Sequence, residues 1–209
     1  MKKIFQALLV LAAWLPALVA VSAELAPDEL VRTTSREVIE ILKTDKEARS
    51  GKRLLDLVDA KVLPHFDFTR MTRLAVGKNW RNATPEQQQS LVREFRTLLV
   101  RTYSSALATY KDQVIDVRPV KLNAGDTEVT VRTQVQQSGG QPVQIDYAME
   151  KKPDGWKVFD VTVAGVSLVT NYRSTFDRQI AEGGIDGLIK SLADKNRSLE
   201  EGAPGKRAS

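Results

Sequence analysis

The chain contains no cysteine. Disulfides, thiol nucleophiles, iron–sulfur clusters and cysteine-rich zinc sites are thereby excluded, and so is attachment to a membrane through a lipidated cysteine. There is a single histidine, His65, which removes metal sites built on several imidazoles and mechanisms that need two of them. A Ser-His-Asp arrangement would have to run through His65, between Pro64 and Phe66, where a lone and partly shielded imidazole is more often a hydrogen-bonded packing residue. No glycine-rich phosphate loop is present. Basic residues are not interleaved with aromatics on any predicted strand, so a nucleic-acid surface has little support. Two strand carboxylates remain as candidates for acid–base chemistry. Either Asp146 or Asp160, held in an apolar pocket, would have a raised pKa and could serve as the base of a small-molecule isomerase or hydrolase. Asp146 falls on the polar side of its strand, however, and Asp160 has no evident partner.

What the chain does have begins at its first residues. Lys2 and Lys3 precede an almost wholly apolar run from Ile4 to Val21, and Val21-Ser22-Ala23 offers small residues at both recognition positions of a signal peptidase. The length of the run would also permit a membrane anchor. The cleavage site followed at once by Glu24 favours removal, with residues 24–201 as one domain in the periplasm and 202–209 as a disordered tail. Loss of Lys2 and Lys3 lowers the formal net charge from +5 to +3, so the sequence pI near 9.4 overstates how cationic the working surface is.

Helical spacing governs the first half of that domain. Pro27-Asp28-Glu29 opens a helix ending near Thr44, and a second carries Leu54, Leu55, Val58, Val62 and Leu63 until Pro64 stops it. A third is predicted from Phe68 to Val76, closed by Gly77. Thr84-Pro85-Glu86-Gln87 reads as an N-cap, a first-turn proline and a capping box. The helix it opens runs to about Tyr110, with Leu91, Phe95, Leu98, Leu99, Tyr103, Leu107 and Tyr110 on one stripe. From Val114 the period changes to two. A strand over Val114 to Leu122, one through Val129, Val131, Thr133 and Val135, one through Val143, Ile145, Tyr147 and Met149, and one from Trp156 to Val163 make a four-stranded antiparallel meander. Ser138-Gly139-Gly140 and Pro153-Asp154-Gly155 are its turns. Two more helices follow, Leu168 to about Ala181 and Ile185 to about Leu199. The class is α+β, with six to seven helices over one face of a twisted sheet.

The stretch VFDVTVAGVSLVTNYRSTF, Val158 to Phe176, changes from strand to helical spacing at Ala164-Gly165. Together with VLPHFDFTRMTRLAVGKNWRNATPEQQ (Val62 to Gln88), FRTLLVRTY (Phe95 to Tyr103) and SGGQPVQIDYAMEKKPDGWKVFDVTVAGVSLVTNYR (Ser138 to Arg173), it resembles the MlaC, or toluene-tolerance, family of periplasmic phospholipid-binding proteins. The similarity runs in order from the export signal to the last helix. The resemblance implies a deep apolar pocket between sheet and helices, holding acyl chains while the headgroup stays near solvent. It implies no catalytic residues, no metal and no cofactor, with phospholipid as cargo. It also implies a monomer that shuttles between an outer-membrane complex of MlaA with a porin and an inner-membrane ABC transporter, met through its MCE-domain subunit MlaD.

On that basis the helices are expected to line the pocket with Phe68, Met71, Leu74, Val76, Phe95, Leu98, Leu99 and Tyr103. The strands are expected to contribute Val131, Val135, Val143, Ile145, Tyr147 and Met149. The hinge would add Val161, Val163, Val166, Leu168, Val169, Tyr172 and Phe176, with Gly165 letting both sides of the turn face one space. Arg101, Lys111 and Arg173, beside Tyr103, Tyr110 and Tyr172, are the candidates for the headgroup, against the alternative that they are solvated helix residues.

Overall fold

The computed structural model describes residues 25–109, 113–136 and 139–202. Thr84 caps α4, Pro85–Ala108, as its context predicts. Its hydroxyl accepts from the Gln87 amide at 3.2 Å, and the Gln87 side chain returns to the Thr84 amide at 3.0 Å. Both are donors that the first turn leaves without partners. Before it come α1, Pro27–Thr44, α2, Gly51–Lys61, and α3, Phe68–Val76, with 3-10 turns at Lys46–Arg49, Leu63–His65 and Gly77–Asn82. Asp67 caps α3 by accepting from the Arg70 amide at 2.8 Å, and Gly77 leaves it at φ 61°, a conformation that side chains with a Cβ resist. No helix among the described residues is long and apolar enough to cross a membrane.

The sheet has five strands rather than four, in the order β1-β2-β3-β4-β5 and antiparallel throughout. They are β1, Val114–Val117; β2, Glu128–Gln136; β3, Val143–Lys152; β4, Gly155–Val163; and β5, Val166–Ser167. The first strand is shorter than its sequence pattern suggests. After Arg118, whose amide still reaches the Arg132 carbonyl at 3.0 Å, Pro119 has no donor to continue the ladder. The extra strand arises because Ala164 and Gly165 both take positive φ, 49° and 83°. That makes a tight two-residue turn, and Val166 folds back on Val163 before the helix begins. The chain therefore passes from strand to helix through a small hairpin, not directly.

The last helix, α5, Leu168–Glu201, bends at Gly184 (φ 67°, ψ −171°). Its two arms are the two helices read from the sequence, and counting them as one bent element leaves five α-helices among the described residues, fewer than the six to seven expected. Helices do not simply blanket one face of the sheet either. Leu30 and Val31 of α1 pack on the apolar face, while α3 runs past the β4 edge, where Phe66 bridges to Val158. From there Arg70 reaches the polar face. Its guanidinium pairs with Glu128 and Glu150, each at 2.6 Å, and lies 3.5 Å from the centre of the Phe159 ring, so a cation–π contact adds to the ion pairs.

Burial holds the His65 imidazole below its ordinary pKa of 6.5, and the neighbouring Lys157 adds to this while Glu37 opposes it. A folded-state pKa below the unfolded one means that the unfolded chain binds the proton first as pH falls. The contribution of His65 to stability is therefore complete above about pH 6.5 and declines below it. Thermal melts of the parent should lose more Tm between pH 7 and pH 5 than melts of His65→Gln, and parallel curves would remove His65 from the acid sensitivity.

Candidate functional site

Period-two alternation and strand register put one set of side chains on the same face of the sheet. Val131 lies opposite Tyr147, Thr133 opposite Ile145 and Val135 opposite Val143. On the other flank Val161 lies opposite Tyr147 and Val163 opposite Ile145, and β1 adds Ile115 and Val117. This face is closed at one end and open at the other. Towards the β3–β4 turn, Met149, Trp156 and Val158 are buried among one another with Val131, Val117 and Val161. Towards the hairpin ends, Val135, Val143, Ile145, Tyr147 and Val163 are only half-buried, and Val166 is 55% exposed. The register of β3 on β4 shifts between Ala148 and Met149, a bulge that increases the local twist.

The helices form a second apolar cluster. Met71, Val76, Phe95, Leu98, Leu99, Val169 and Phe176 are buried against one another, with Phe68, Leu74 and Tyr172 at the margin. Phe95 meets Tyr172 and Phe176 edge-on at centroid distances of 5.1 and 5.2 Å, the geometry that aromatic quadrupoles favour. Most helix positions expected to line a pocket thus fill this cluster. Phe68, Leu74 and Tyr172 are left half-buried at its surface, and Tyr103 is 37% exposed. Burial, with the adjoining Tyr103 hydroxyl, pushes the Tyr172 phenol up to about 12. Burial does the same to Tyr147 on the sheet, also to about 12, against the lowering effect of Thr133. Both phenols are neutral at physiological pH.

The first turn of α5 joins the clusters. Leu168 packs with the sheet, whereas Val169 and Tyr172 pack with the helices. The junction is fixed by Asp160. Its carboxylate accepts from the Ser167 hydroxyl at 2.6 Å, the Val161 amide at 2.8 Å and the Val169 amide at 3.2 Å. The sequence offered no partner for Asp160, because Ser167 and Val169 come into reach only when the two-residue turn closes. A carboxylate so engaged has a structural task. Asp146 takes the Gln144 amide on the polar face, at 2.9 and 3.1 Å.

Two of the three headgroup candidates are engaged by groups on other helices. Arg173 donates to the Leu74 carbonyl at 2.6 and 3.1 Å, satisfying an acceptor near the end of α3. Arg101 donates to the Asn196 carbonyl and to Glu200, the latter at 3.1 Å, tying α4 to α5. Long helix side chains with carbonyls in reach are used there, and those carbonyls are supplied by other helices. Lys111 lies outside the described residues, as do Tyr110, Ser138 and the segments 1–24 and 203–209. Sequence reasoning also passed over Leu30, Val31, Ile115 and Phe66 as neighbours of the sheet face. The helical spacing of the first two and the alternation of the third were visible signals. A separate cleft of about 420 Å³ lies beyond the closed end, lined by Phe66, Asp67, Phe68, Thr69, Lys152, Asp154 and Lys157.

An apolar sheet face that opens beside an aromatic helix face frames the likeness to known proteins. A family model described as MlaC protein matches residues 32–194. The chain belongs to the MlaC family. Relatives include the toluene tolerance protein ttg2D of Pseudomonas putida, 30% identical over 95% of both chains. The intermembrane phospholipid transport system binding protein MlaC of Haemophilus influenzae is 25% identical over 81% of this chain and 82% of its own. Among solved structures, a phospholipid-binding protein of Ralstonia solanacearum, determined in complex with a phospholipid, superposes with a TM-score of 0.77 at 39% identity. The match covers 83% of this chain and 98% of that one.

Within this MlaC-family fold, Asp160→Ala leaves the Ser167 hydroxyl and two amides without their acceptor. At roughly 1 kcal/mol net for each lost hydrogen bond, the loss should be about 2–3 kcal/mol. Urea unfolding should show it as a lower midpoint with unchanged slope, and Asp160→Asn should recover about half. A midpoint for Asp160→Ala equal to that of the parent would mean that the carboxylate does not pin the junction.

Proposed function

We propose that this chain is a periplasmic phospholipid carrier that covers the acyl chains between the open end of the sheet face and the Tyr103–Tyr172 side of the helices. The observation that carries the reading is the gradient along the sheet, from fully buried Met149 to half-buried Val143 and exposed Val166. A lone apolar face is common enough, but this one belongs to a chain 39% identical to a protein solved with a phospholipid bound. Each buried methylene contributes about 0.8 kcal/mol, so two chains with roughly thirty methylenes represent on the order of 25 kcal/mol gross. Unaided diffusion through water is negligible against such a barrier, and a carrier has to cover the tails.

Tail contacts are proposed for the half-buried positions Val135, Val143, Ile145, Tyr147, Val163 and Leu168, with Val166 at the mouth. For delivery we propose that lipid passes between an outer-membrane MlaA–porin complex and an inner-membrane ABC transporter through its MCE-domain subunit, a reading supported by the family match. Export would remove the chain up to Ala23. An isomerase or hydrolase reading needs a free, shielded carboxylate, and Asp160 is engaged at the junction.

Organic extraction of protein purified from the periplasm, followed by mass spectrometry, should recover phospholipid near stoichiometric amounts from the parent. Val143→Glu would set a carboxylate against acyl chains, at a cost of several kcal/mol, and should retain at least tenfold less lipid while melting within a few degrees of the parent. A lipid-free parent, or a folded Val143→Glu with its full complement of lipid, would contradict the reading.

A further inference from the structure

The seam between the two clusters is bordered by phenols. Leu168 packs with the sheet and Tyr172 with the helices, yet they stand one turn apart on the same side of α5. Tyr172 is therefore where the clusters meet. Its ring is held by Phe95, edge-on at 5.1 Å, and by Phe176 at 5.5 Å. Its hydroxyl is in hydrogen-bond reach of the Tyr103 and Thr102 hydroxyls on α4. Tyr103 is 37% exposed, the one aromatic among the exposed large apolar side chains of the described residues. The hydroxyl pair thus sits at a water-facing rim of the apolar space. Other polar groups beside it are already engaged. Arg101, two residues before Tyr103, donates to the Asn196 carbonyl and to Glu200, and Arg173, next to Tyr172, donates to the Leu74 carbonyl. On the sheet, the Tyr147 hydroxyl meets Thr133, and the valines and isoleucine of the open end carry no polar side-chain atom.

We infer that Tyr103 and Tyr172 form a donor pair that receives an ester carbonyl of the bound lipid, so that the carrier selects ester-linked over ether-linked phospholipid. This rests on the carrier reading and adds to it the group at which tail recognition ends. Between the tails and the phosphate of a diacyl lipid lie two carbonyls, which accept hydrogen bonds and cannot donate them. A phenol supplies a proton at its tip and an apolar body to lie against the first methylenes. With Tyr172 donating to Tyr103, the Tyr103 proton is left for the carbonyl. Burial keeps Tyr172 protonated throughout the physiological range, its pKa being about 12. A phosphate would call for a cation, and the two arginines beside the phenols are bound to helix carbonyls instead. The tips of the pair therefore match the weakly polar border of the lipid better than its charged end.

The test is a competition between two lipids that differ at the carbonyl alone. Parent and Tyr103→Phe/Tyr172→Phe are equilibrated with vesicles holding equal amounts of dipalmitoyl phosphatidylcholine and its dihexadecyl ether analogue. The protein is then recovered and the ratio of the two bound lipids is measured by mass spectrometry. The parent should hold about fivefold more of the diester, which is what one net hydrogen bond is worth. The variant should hold nearly equal amounts of the two, while melting within a few degrees of the parent, because phenylalanine fills the same space. Tyr103→Phe alone, at an exposed position, should show the same fall, and it serves as the test if the double variant melts early. A parent without preference for the diester overturns the inference, and so does a folded variant that keeps the parent's ratio. An equal loss of both lipids from the variant, with the ratio unchanged, would put the hydroxyls on the phosphate and overturn it as well. A parent that takes up neither lipid would strike the carrier reading itself, a failure distinct from the others.

Discussion

A strand and a helix meet at Ala164-Gly165, and the rest of the arrangement depends on how tightly that junction is held. Both residues take positive φ, which Gly165 accommodates freely and Ala164 only at some cost. The Asp160 carboxylate offsets it by gathering the Ser167 hydroxyl and the Val161 and Val169 amides. With the turn fixed, Leu168 faces the sheet while Val169, Tyr172 and Phe176 face the helices. The apolar surface around the junction is thereby divided between the sheet cluster and the helix cluster, with a seam between them.

That division explains why a chain with an ordinary apolar content can present a lipid-compatible surface without falling apart. The helix cluster is filled by its own aromatic contacts around Phe95, and the closed end of the sheet by Met149 and Trp156. Neither needs a ligand to be complete. The open end between them is where apolar side chains remain half-covered. Arg70, stacked on Phe159 and paired with Glu128 and Glu150, fastens α3 to the opposite face of the sheet, away from the opening. Arg101 and Arg173 hold helix to helix. These three arginines are spent on the frame, between elements distant in the chain.

Much of the frame was legible in the sequence because it is specified locally. The capping box at Thr84 and Gln87, the limits of the helix Phe68–Val76, and the alternation through Val131 and Ile145 each depend on neighbours a few residues away. The break at Gly183-Gly184 was also visible, since consecutive glycines seldom continue a helix. What escaped depends on distant partners. The fifth strand is two residues long and exists only because the turn folds it back on Val163. The engagement of Asp160, Arg101 and Arg173 requires carbonyls, amides and hydroxyls whose positions the fold alone determines. Periodicity likewise places Phe95 and Val143 on apolar faces without telling which is packed by protein and which is open. That distinction decides the site, and it comes from tertiary contact.

The central claim is that acyl chains lie in the seam, touching both clusters. Loading the protein with a phospholipid carrying a photoreactive group midway along one chain, irradiating it and mapping the labelled peptides tests this most directly. The account predicts label on both sides of the seam, within Val143–Tyr147 or Val163–Leu168 of the sheet side and at Tyr103 or Tyr172 of the helices. Label confined to the cleft at Phe66, Phe68 and Lys157 would place the chains beyond the closed end of the sheet and contradict it.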